Sequence, residues 1–199
     1  MESKTIAAIV TFTALSVALV LSPAKVPAPY APFLKYQIWE IPIVAAFILY
    51  GPPVGVAVAT MNTIVLLAVY PGELPTGPLY NLAAILSMLL GVYIMHRLTA
   101  ERFSRGREAI LTASSTALGI VTRVVFMSIV NWAFLRYPYP IGFSIPVEGL
   151  TAMLPIIGFF NATLALYTIP IGYFVARSVS SGIKMPTWSQ RRLKTRETS

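Results

Sequence analysis

Six apolar segments dominate the sequence, and short polar or proline-rich stretches separate them. Continuous runs such as ILSMLLGVYIM lack the alternation that a membrane β-barrel strand needs. In lipid, each backbone polar group must be satisfied within its own helix or within a closed barrel, so the pattern favours helices. It predicts an all-α integral membrane protein, a compact six-helix transmembrane bundle with a short second helix. The predicted helices are residues 5–21, 38–50, 54–70, 79–95, 110–135 and 150–176.

The second segment is unusual because its apolar run is too short to cross a bilayer. The run from Ile41 to Tyr50 has ten residues, whereas a spanning helix needs about 20. In the surrounding stretch, FLKYQIWEIPIVAAFILYGPPVG, a lysine, a glutamate and aromatic residues stand before the run. The rest of the fold must therefore explain why this helix is short.

Composition supports a membrane protein and argues against several enzyme classes. Of 199 residues, 56% are hydrophobic and 11% are charged, and the mean hydropathy is +0.73, which is more apolar than a soluble core of this length can bury. Cysteine and aspartate are absent, His96 is the single histidine, and the sequence has no phosphate-binding loop. These absences disfavour an ATPase, a zinc hydrolase and a carboxylate-relay pump. We predict no enzymatic activity, no metal and no cofactor.

The basic residues predict the orientation of the chain in the membrane. The net charge is +8, and its clustering at helix ends and in the tail disfavours nucleic acid as a partner. The positive-inside rule places both clusters and the amino terminus in the cytoplasm of a multi-pass cell-membrane protein. We predict one domain over residues 1–177 and a basic, disordered cytoplasmic tail over residues 178–199, near anionic lipid. The clustered cations are Arg97, Arg102, Arg105, Arg107, Arg177, Lys184, Arg191, Arg192, Lys194 and Arg196.

Proline and aromatic residues are concentrated in the three predicted outer loops. The first, SPAKVPAPYAPFLKYQ, holds four prolines and is expected to be extended and partly polyproline-like. The third and fifth, YPGELPTGP and RYPYPIGFSIPVEG, share this character. Such loops can cover an outward-facing cavity. Alternatively, the prolines and tyrosines only end helices and lie at the membrane interface.

Three asparagines lie toward the outer side of the predicted bundle. Asn81 opens helix four, Asn131 lies near the outer end of helix five, and Asn161 is roughly 16 Å along helix six at about 1.5 Å per residue. We predict that they converge on one cavity that reaches toward the midplane. The alternative is that each amide joins two helices by a hydrogen bond.

Arg123 is the lone charge in a long apolar stretch of helix five. It lies roughly 20 Å from the start of that helix, where a cation needs a partner or water. Glu40 and Glu148 are candidate partners. The alternative is that the arginine extends along a shifted helix to reach the interface.

Two stretches resemble the substrate-binding S components of energy-coupling factor (ECF) transporters, most closely the riboflavin type. In FLKYQIWEIPIVAAFILYGPPVG the shared features are an FLKY-like segment, an acidic residue with a proline, a short helix and a GP-x-x-G turn. VVFMSIVNWAFLRYPY is similar to the family's fifth helix, and LPIIGFFNATLALYTIP matches the sixth more loosely. The resemblance covers roughly residues 5–177. Two positions depart from the riboflavin type, which has aspartate where Glu40 stands and lysine where Leu164 stands.

The resemblance implies a fold in which loop one is a lid over an outward-facing vitamin pocket, with Lys35 and Glu40 at the lid hinge. It implies capture of riboflavin or a similar flat heterocycle, with energy supplied by an ECF scaffold subunit and two cytoplasmic ATPases. Ala14 and Ala18 are similar to the family's AxxxA scaffold-docking motif. Aromatic side chains suit a flat ring, and amides suit polar ring edges and hydroxyls. The candidate substrate-binding residues are Lys35, Tyr36, Trp39, Glu40, Asn81, Asn131, Trp132, Tyr139, Glu148 and Asn161.

Three other functions stay open at this point. An S component for a different vitamin fits the departure at Leu164. A membrane scaffold or assembly protein would use the aromatic outer loops to bind a partner protein. A membrane enzyme acting on lipid would need a catalytic His, Asp or Ser constellation, which the sequence does not display.

Overall fold

The computed structural model describes residues 3–23, 25–69, 74–99 and 108–191. Within these ranges the chain forms six helices, a single helical turn at residues 188–191 and one β-hairpin, so the predicted helical bundle and its short second helix are confirmed. Five helices are long and apolar enough to cross a membrane, and α2 is shorter. The elements are α1 (Ser3–Leu21), β1 (Val26–Ala28), β2 (Ala31–Tyr36), α2 (Glu40–Tyr50), α3 (Pro52–Val69), α4 (Gly77–Thr99), α5 (Glu108–Phe134) and α6 (Val147–Gly182).

The short helix α2 forms the core of the bundle. Nine of its 11 residues are buried, and it packs against α1, α3 and α6. A helix that is apolar on every side is expected in such a central position. Gly172 lets α6 approach closely, since a Cβ added there would lie 2.5 Å from Cγ1 of Val44. Around this core, α5 packs between α4 and α6.

The sequence GPPVG forms the turn between α2 and α3. Gly51 has a φ of 102°, in the left-handed region that glycine adopts without strain, and its N–H donates to the Phe47 carbonyl at 2.9 Å. Pro52 then begins α3, where a missing N–H costs nothing. We call this end of the bundle the tail end, and the opposite end the hairpin end.

Loop one is a β-hairpin, so the expected polyproline-like conformation is wrong for residues 26–36. Strands β1 and β2 are antiparallel, with Val26 opposite Tyr36 and Pro27 opposite Lys35. Both strands of a two-stranded ribbon are edge strands, so a proline can direct its ring nitrogen away from the partner without breaking the pairing. The prolines therefore did not prevent strand formation.

The predicted disorder from Ser178 onward is wrong as far as Arg191. Helix α6 continues to Gly182, and the following residues fold back against the tail end of α2. Trp188 lies on Gly51, where an added Cβ would be 2.7 Å from the indole Cδ1, and Arg191 donates to the Leu49 carbonyl at 2.8 Å. Residues 192–199 lie outside the described residues, as do Arg102, Arg105 and Arg107.

Candidate ligand-binding cavity

A cavity of about 610 Å³ lies between the hairpin and the first turn of α2. This volume is within the range of roughly 300 to 1,000 Å³ that small-molecule sites occupy. The 11 residues of α2 span only about 16 Å of a hydrocarbon core that is about 30 Å thick. The cavity fills the part of the membrane thickness that α2 does not span, and this explains why the helix is short. Each helix contributes to the lining, through residues that include Val20, Glu40, Leu66, Asn81, Met127 and Asn161.

A buried ion pair forms part of the cavity lining. The Arg123 guanidinium on α5 donates to both carboxylate oxygens of Glu40 on α2, at 2.5 and 2.9 Å. Their side chains are only 3% and 4% exposed. Glu40 is therefore the partner of the intramembrane arginine, and the alternative of an arginine that reaches the interface is wrong. Because the two charges compensate each other, this part of the lining is polar without leaving either buried charge unpaired.

Asn161 on α6 adds a third helix to this site and orients the Arg123 side chain. Its side-chain oxygen accepts a hydrogen bond from Arg123 Nε at 3.0 Å, and its Nδ2 donates to the Ile157 carbonyl at 2.9 Å. One carbonyl and one N–H of the Asn161 amide are thus already engaged. Asn161 orients Arg123 and retains a limited capacity to bind anything in the cavity.

Asn131 and Asn81 offer more hydrogen-bonding capacity to a ligand. Asn131 is 8% exposed, and its Nδ2 donates to the Met127 carbonyl at 2.7 Å, which fixes the amide and leaves its oxygen as an acceptor. Asn81 lies in the first two turns of α4 and also lines the cavity. Both positions agree with the convergence that the sequence predicts.

The hairpin and the segment after it form the roof of the cavity. Phe33, Leu34 and Lys35 of β2 line it, and so do Gln37 and Trp39 of the connection to α2. The Gln37 side-chain oxygen is buried with no hydrogen-bond partner among the described residues. A buried acceptor of this kind costs free energy unless a ligand or water supplies a donor.

One solved structure decides the fold. The S component of a bacterial ECF transporter superposes with a TM-score of 0.73 and 20% sequence identity, over 92% of this chain and 99% of that one. This chain has the S-component fold. The fold resemblance that the sequence displays is therefore confirmed.

A comparison of sequences also finds a similar transporter. The riboflavin transporter FmnP of Bacillus subtilis (strain 168) is 30% identical over 125 residues, which are 62% of this chain and 63% of that protein. The match thus covers somewhat less than two thirds of the relative's length. No protein-family model matches the chain.

The S-component fold brings six of the ten candidate substrate-binding residues to the cavity. A seventh, Tyr36, belongs to the lining strand, but its ring packs against Phe160 with centroids 5.0 Å apart, outside the lining. The six that line the cavity are Lys35, Trp39, Glu40, Asn81, Asn131 and Asn161.

Trp132, Tyr139 and Glu148 do not line the cavity, so the expectation for them is corrected. Trp132 follows the inward-facing Asn131 by one residue, which rotates it about 100° around the helix, and it is 42% exposed. Its ring stacks on Arg136, 4.8 Å from the guanidinium carbon. Tyr139 lies in the loop beyond α5, and Glu148 is on the exposed side of the first turn of α6.

Most lining residues are absent from the predicted set, and three of them bear on the chemistry of the site: Arg123, Gln37 and Phe160. The sequence predicts Arg123 as an intramembrane charge and not as a lining residue, although a lone charge in an apolar helix is a usable signal for a buried polar site. Gln37 stands two residues after Lys35 and carries no distinguishing pattern. Phe160 contributes an apolar wall beside Asn161, and an aromatic residue in an apolar helix gives no signal of its own.

Proposed function

We propose that this chain is the substrate-capture subunit of an ECF-type vitamin transporter, and that it binds riboflavin or a similar flat heterocycle. The observation that carries the proposal is the cavity beneath the hairpin, where polar groups from four helices meet apolar walls. The names of the two similar proteins, a riboflavin transporter and an ECF S component, support the same function. The protein performs no chemistry of its own in this proposal.

The lining suits a ring with polar edges. Phe160, Leu164 and Met127 provide apolar surface for a ring face, while Asn131 and Gln37 provide acceptors for ring N–H groups or ligand hydroxyls. Small-molecule sites typically combine apolar walls with a few placed polar groups of this kind. Leu164 stands where the riboflavin type has lysine, so the paired Arg123 is the cation nearest to Asn161 in this site.

The distribution of charge supports an orientation with the tail end in the cytoplasm. Arg97, Arg177 and Lys184 lie toward the tail end, where the positive-inside rule expects them. The hairpin end then faces outward and receives the vitamin. Both termini are cytoplasmic in this arrangement.

Uptake requires partners that this chain binds rather than contains. We assign energy supply to an ECF scaffold subunit and two cytoplasmic ATPases. Ala14 and Ala18 lie on the exposed side of α1, together with Ala7 and Thr11. Small side chains at this spacing allow another helix to approach closely, which supports α1 as the docking helix.

A flavin titration tests the proposal. The detergent-purified protein would first be examined for a co-purified flavin absorption, and then titrated with riboflavin while its fluorescence is followed. We expect saturable quenching in the nanomolar range, with thiamine as a control that does not compete. A folded protein that leaves riboflavin fluorescence unchanged would refute the riboflavin assignment, and the same assay with other vitamins would then separate a different S component from a scaffold protein without a ligand.

A further inference from the structure

The hairpin is joined to α6 by a chain of hydroxyl groups. Tyr30 and Tyr36 are within hydrogen-bond distance, and the Tyr36 hydroxyl lies 2.8 Å from Oγ1 of Thr163 on α6. Thr163 donates its own proton to a carbonyl of α6, with the Phe160 oxygen 2.9 Å away. Since each hydroxyl has one proton, Tyr36 must donate to Thr163, and Tyr30 donates to Tyr36.

A second hydrogen bond joins the two elements one helical turn further along. The Tyr167 hydroxyl on α6 donates to the Gln37 carbonyl at 2.6 Å, just after β2 ends. The hairpin is thus attached to α6 at two points, at residues 163 and 167. Four residues of helix separate these points by about 6 Å.

Apolar contacts accompany these hydrogen bonds. Ala28 of β1 is fully buried against Phe160 and Leu164, and the rings of Tyr30 and Phe159 make an edge contact with centroids 5.2 Å apart. Partial burial and the hydrogen bond with Tyr36 raise the pKa of the Tyr30 phenol above its ordinary value. The Tyr30 hydroxyl therefore keeps the proton that it donates to Tyr36 at neutral pH.

None of the four hydroxyl-bearing residues lines the cavity. Tyr30, Tyr36, Thr163 and Tyr167 contact each other and the backbone on the outer side of the hairpin–α6 junction. Because none of these hydroxyl groups belongs to a lining residue, we expect their hydrogen bonds to be equally strong whether the site is empty or filled.

We propose that Tyr36 and Tyr167 are positioning residues that hold the hairpin against α6 and so set the rate at which ligand enters and leaves the cavity. This inference rests on the proposed capture function. A contact that is equally strong in the free and bound protein does not alter affinity, because a ligand shifts only equilibria between states that it binds differently. Weakening the contact should accelerate association and dissociation together and leave Kd unchanged.

Hairpin opening can be measured without a ligand, because the chain has no cysteine. A single Ala28→Cys substitution places a thiol in the buried hairpin–α6 junction, where a water-soluble maleimide reaches it only when the hairpin lifts. In that background, Tyr36→Phe and Tyr167→Phe each remove one hydroxyl, and Tyr139→Phe is the matched control at an exposed tyrosine outside the cavity. We expect modification to be roughly fivefold faster in the two junction variants, since each loses one hydrogen bond to α6 or from it, and unchanged in the control.

Stopped-flow fluorescence with riboflavin provides the second measurement. The expected result for Tyr36→Phe is an increase in both rate constants of several-fold, with Kd within twofold of the parent. An increase in Kd through faster dissociation alone would make Tyr36 a ligand contact and overturn the proposal. Maleimide rates equal to the control would overturn it as well.

If the parent protein does not bind riboflavin, the proposed ligand is wrong, while the maleimide comparison still decides whether the hydroxyls hold the hairpin. Thr163→Val, which removes the acceptor from the helix side, should reproduce the effect of Tyr36→Phe.

Discussion

Arg123 and Glu40 form a two-point ion pair between α5 and α2, and neither side chain is more than 4% exposed. Either charge, buried here without the other, would lower the stability of the protein. The pair joins the buried central helix to the outer layer of the bundle, and it does so at the cavity lining. Its integrity therefore affects both stability and the shape of the site.

Breaking this pair from either side should destabilise the protein strongly. Glu40→Gln and Arg123→Met each leave one uncompensated buried charge, at a cost of about 3–5 kcal/mol. The double variant removes both charges and should recover most of the loss, as measured by the thermal unfolding midpoint in detergent. Strictly additive effects of the two substitutions would show that the pair is not coupled.

Asn131→Ala should weaken riboflavin binding by roughly tenfold or more without unfolding the protein, about the effect of losing one buried hydrogen bond. The adjacent Trp132→Ala is the control, because that side chain faces away from the cavity. Fluorescence quenching gives both affinities. An unchanged affinity for Asn131→Ala would remove this asparagine from the site.

Asn62→Leu should stabilise the protein. Asn62 is 1% exposed on α3, and both polar atoms of its amide lack a hydrogen-bond partner among the described residues. An unsatisfied buried amide costs about 1–3 kcal/mol, which an apolar side chain of similar size recovers. Asn161→Leu is the contrasting variant, since that amide is bonded to Arg123 and should lower the unfolding midpoint. A fall in the midpoint for Asn62→Leu would indicate that a bound water completes the site.

Trp188→Ala should loosen the segment that folds back on α2. The indole lies on Gly51 and stacks near Tyr93 and His96, with centroids 6.2 and 5.8 Å away. Its removal should cost roughly 1–3 kcal/mol, less than for a fully buried ring. Trypsin cleavage after the exposed Lys184, followed by mass spectrometry, should become faster. Cleavage at the parent rate would show that Trp188 does not hold this segment.

The helices could be predicted because the length and hydrophobicity of a continuous segment are enough to recognise a membrane-spanning helix. The hairpin and the tail segment could not, because their stability comes from distant contacts. Strand β1 is only three residues long and contains a proline, and it exists because β2 and α6 cover it. Trp188 gives no local signal either, since its partner Gly51 lies far away in the sequence.

The depth of a residue along a helix could be counted, but its direction around the helix could not. Counting residues along α5 and α6 predicts that Asn131 and Asn161 lie at the depth of the cavity, and both line it. The same count gives Trp132 this depth too, but its side chain faces away from the cavity. The direction could not be predicted, because the apolar helices have no clear polar face that would indicate which side faces inward. The sequence offers Glu40 and Glu148 as partners of Arg123. Only the packing of α5 against α2 shows that the partner is Glu40.

Helix α6 has 36 residues and α1 has 19, so their lengths are about 54 and 28 Å at 1.5 Å per residue. The shorter helix matches a hydrocarbon core of about 30 Å, whereas the longer one must tilt, bend at Pro155 or Pro170, or project into water. A thinner bilayer therefore demands more tilt from α6 than from α1. Since Val20 and Asn161 on these two helices both line the cavity, we expect the length of the surrounding acyl chains to change the shape of the cavity.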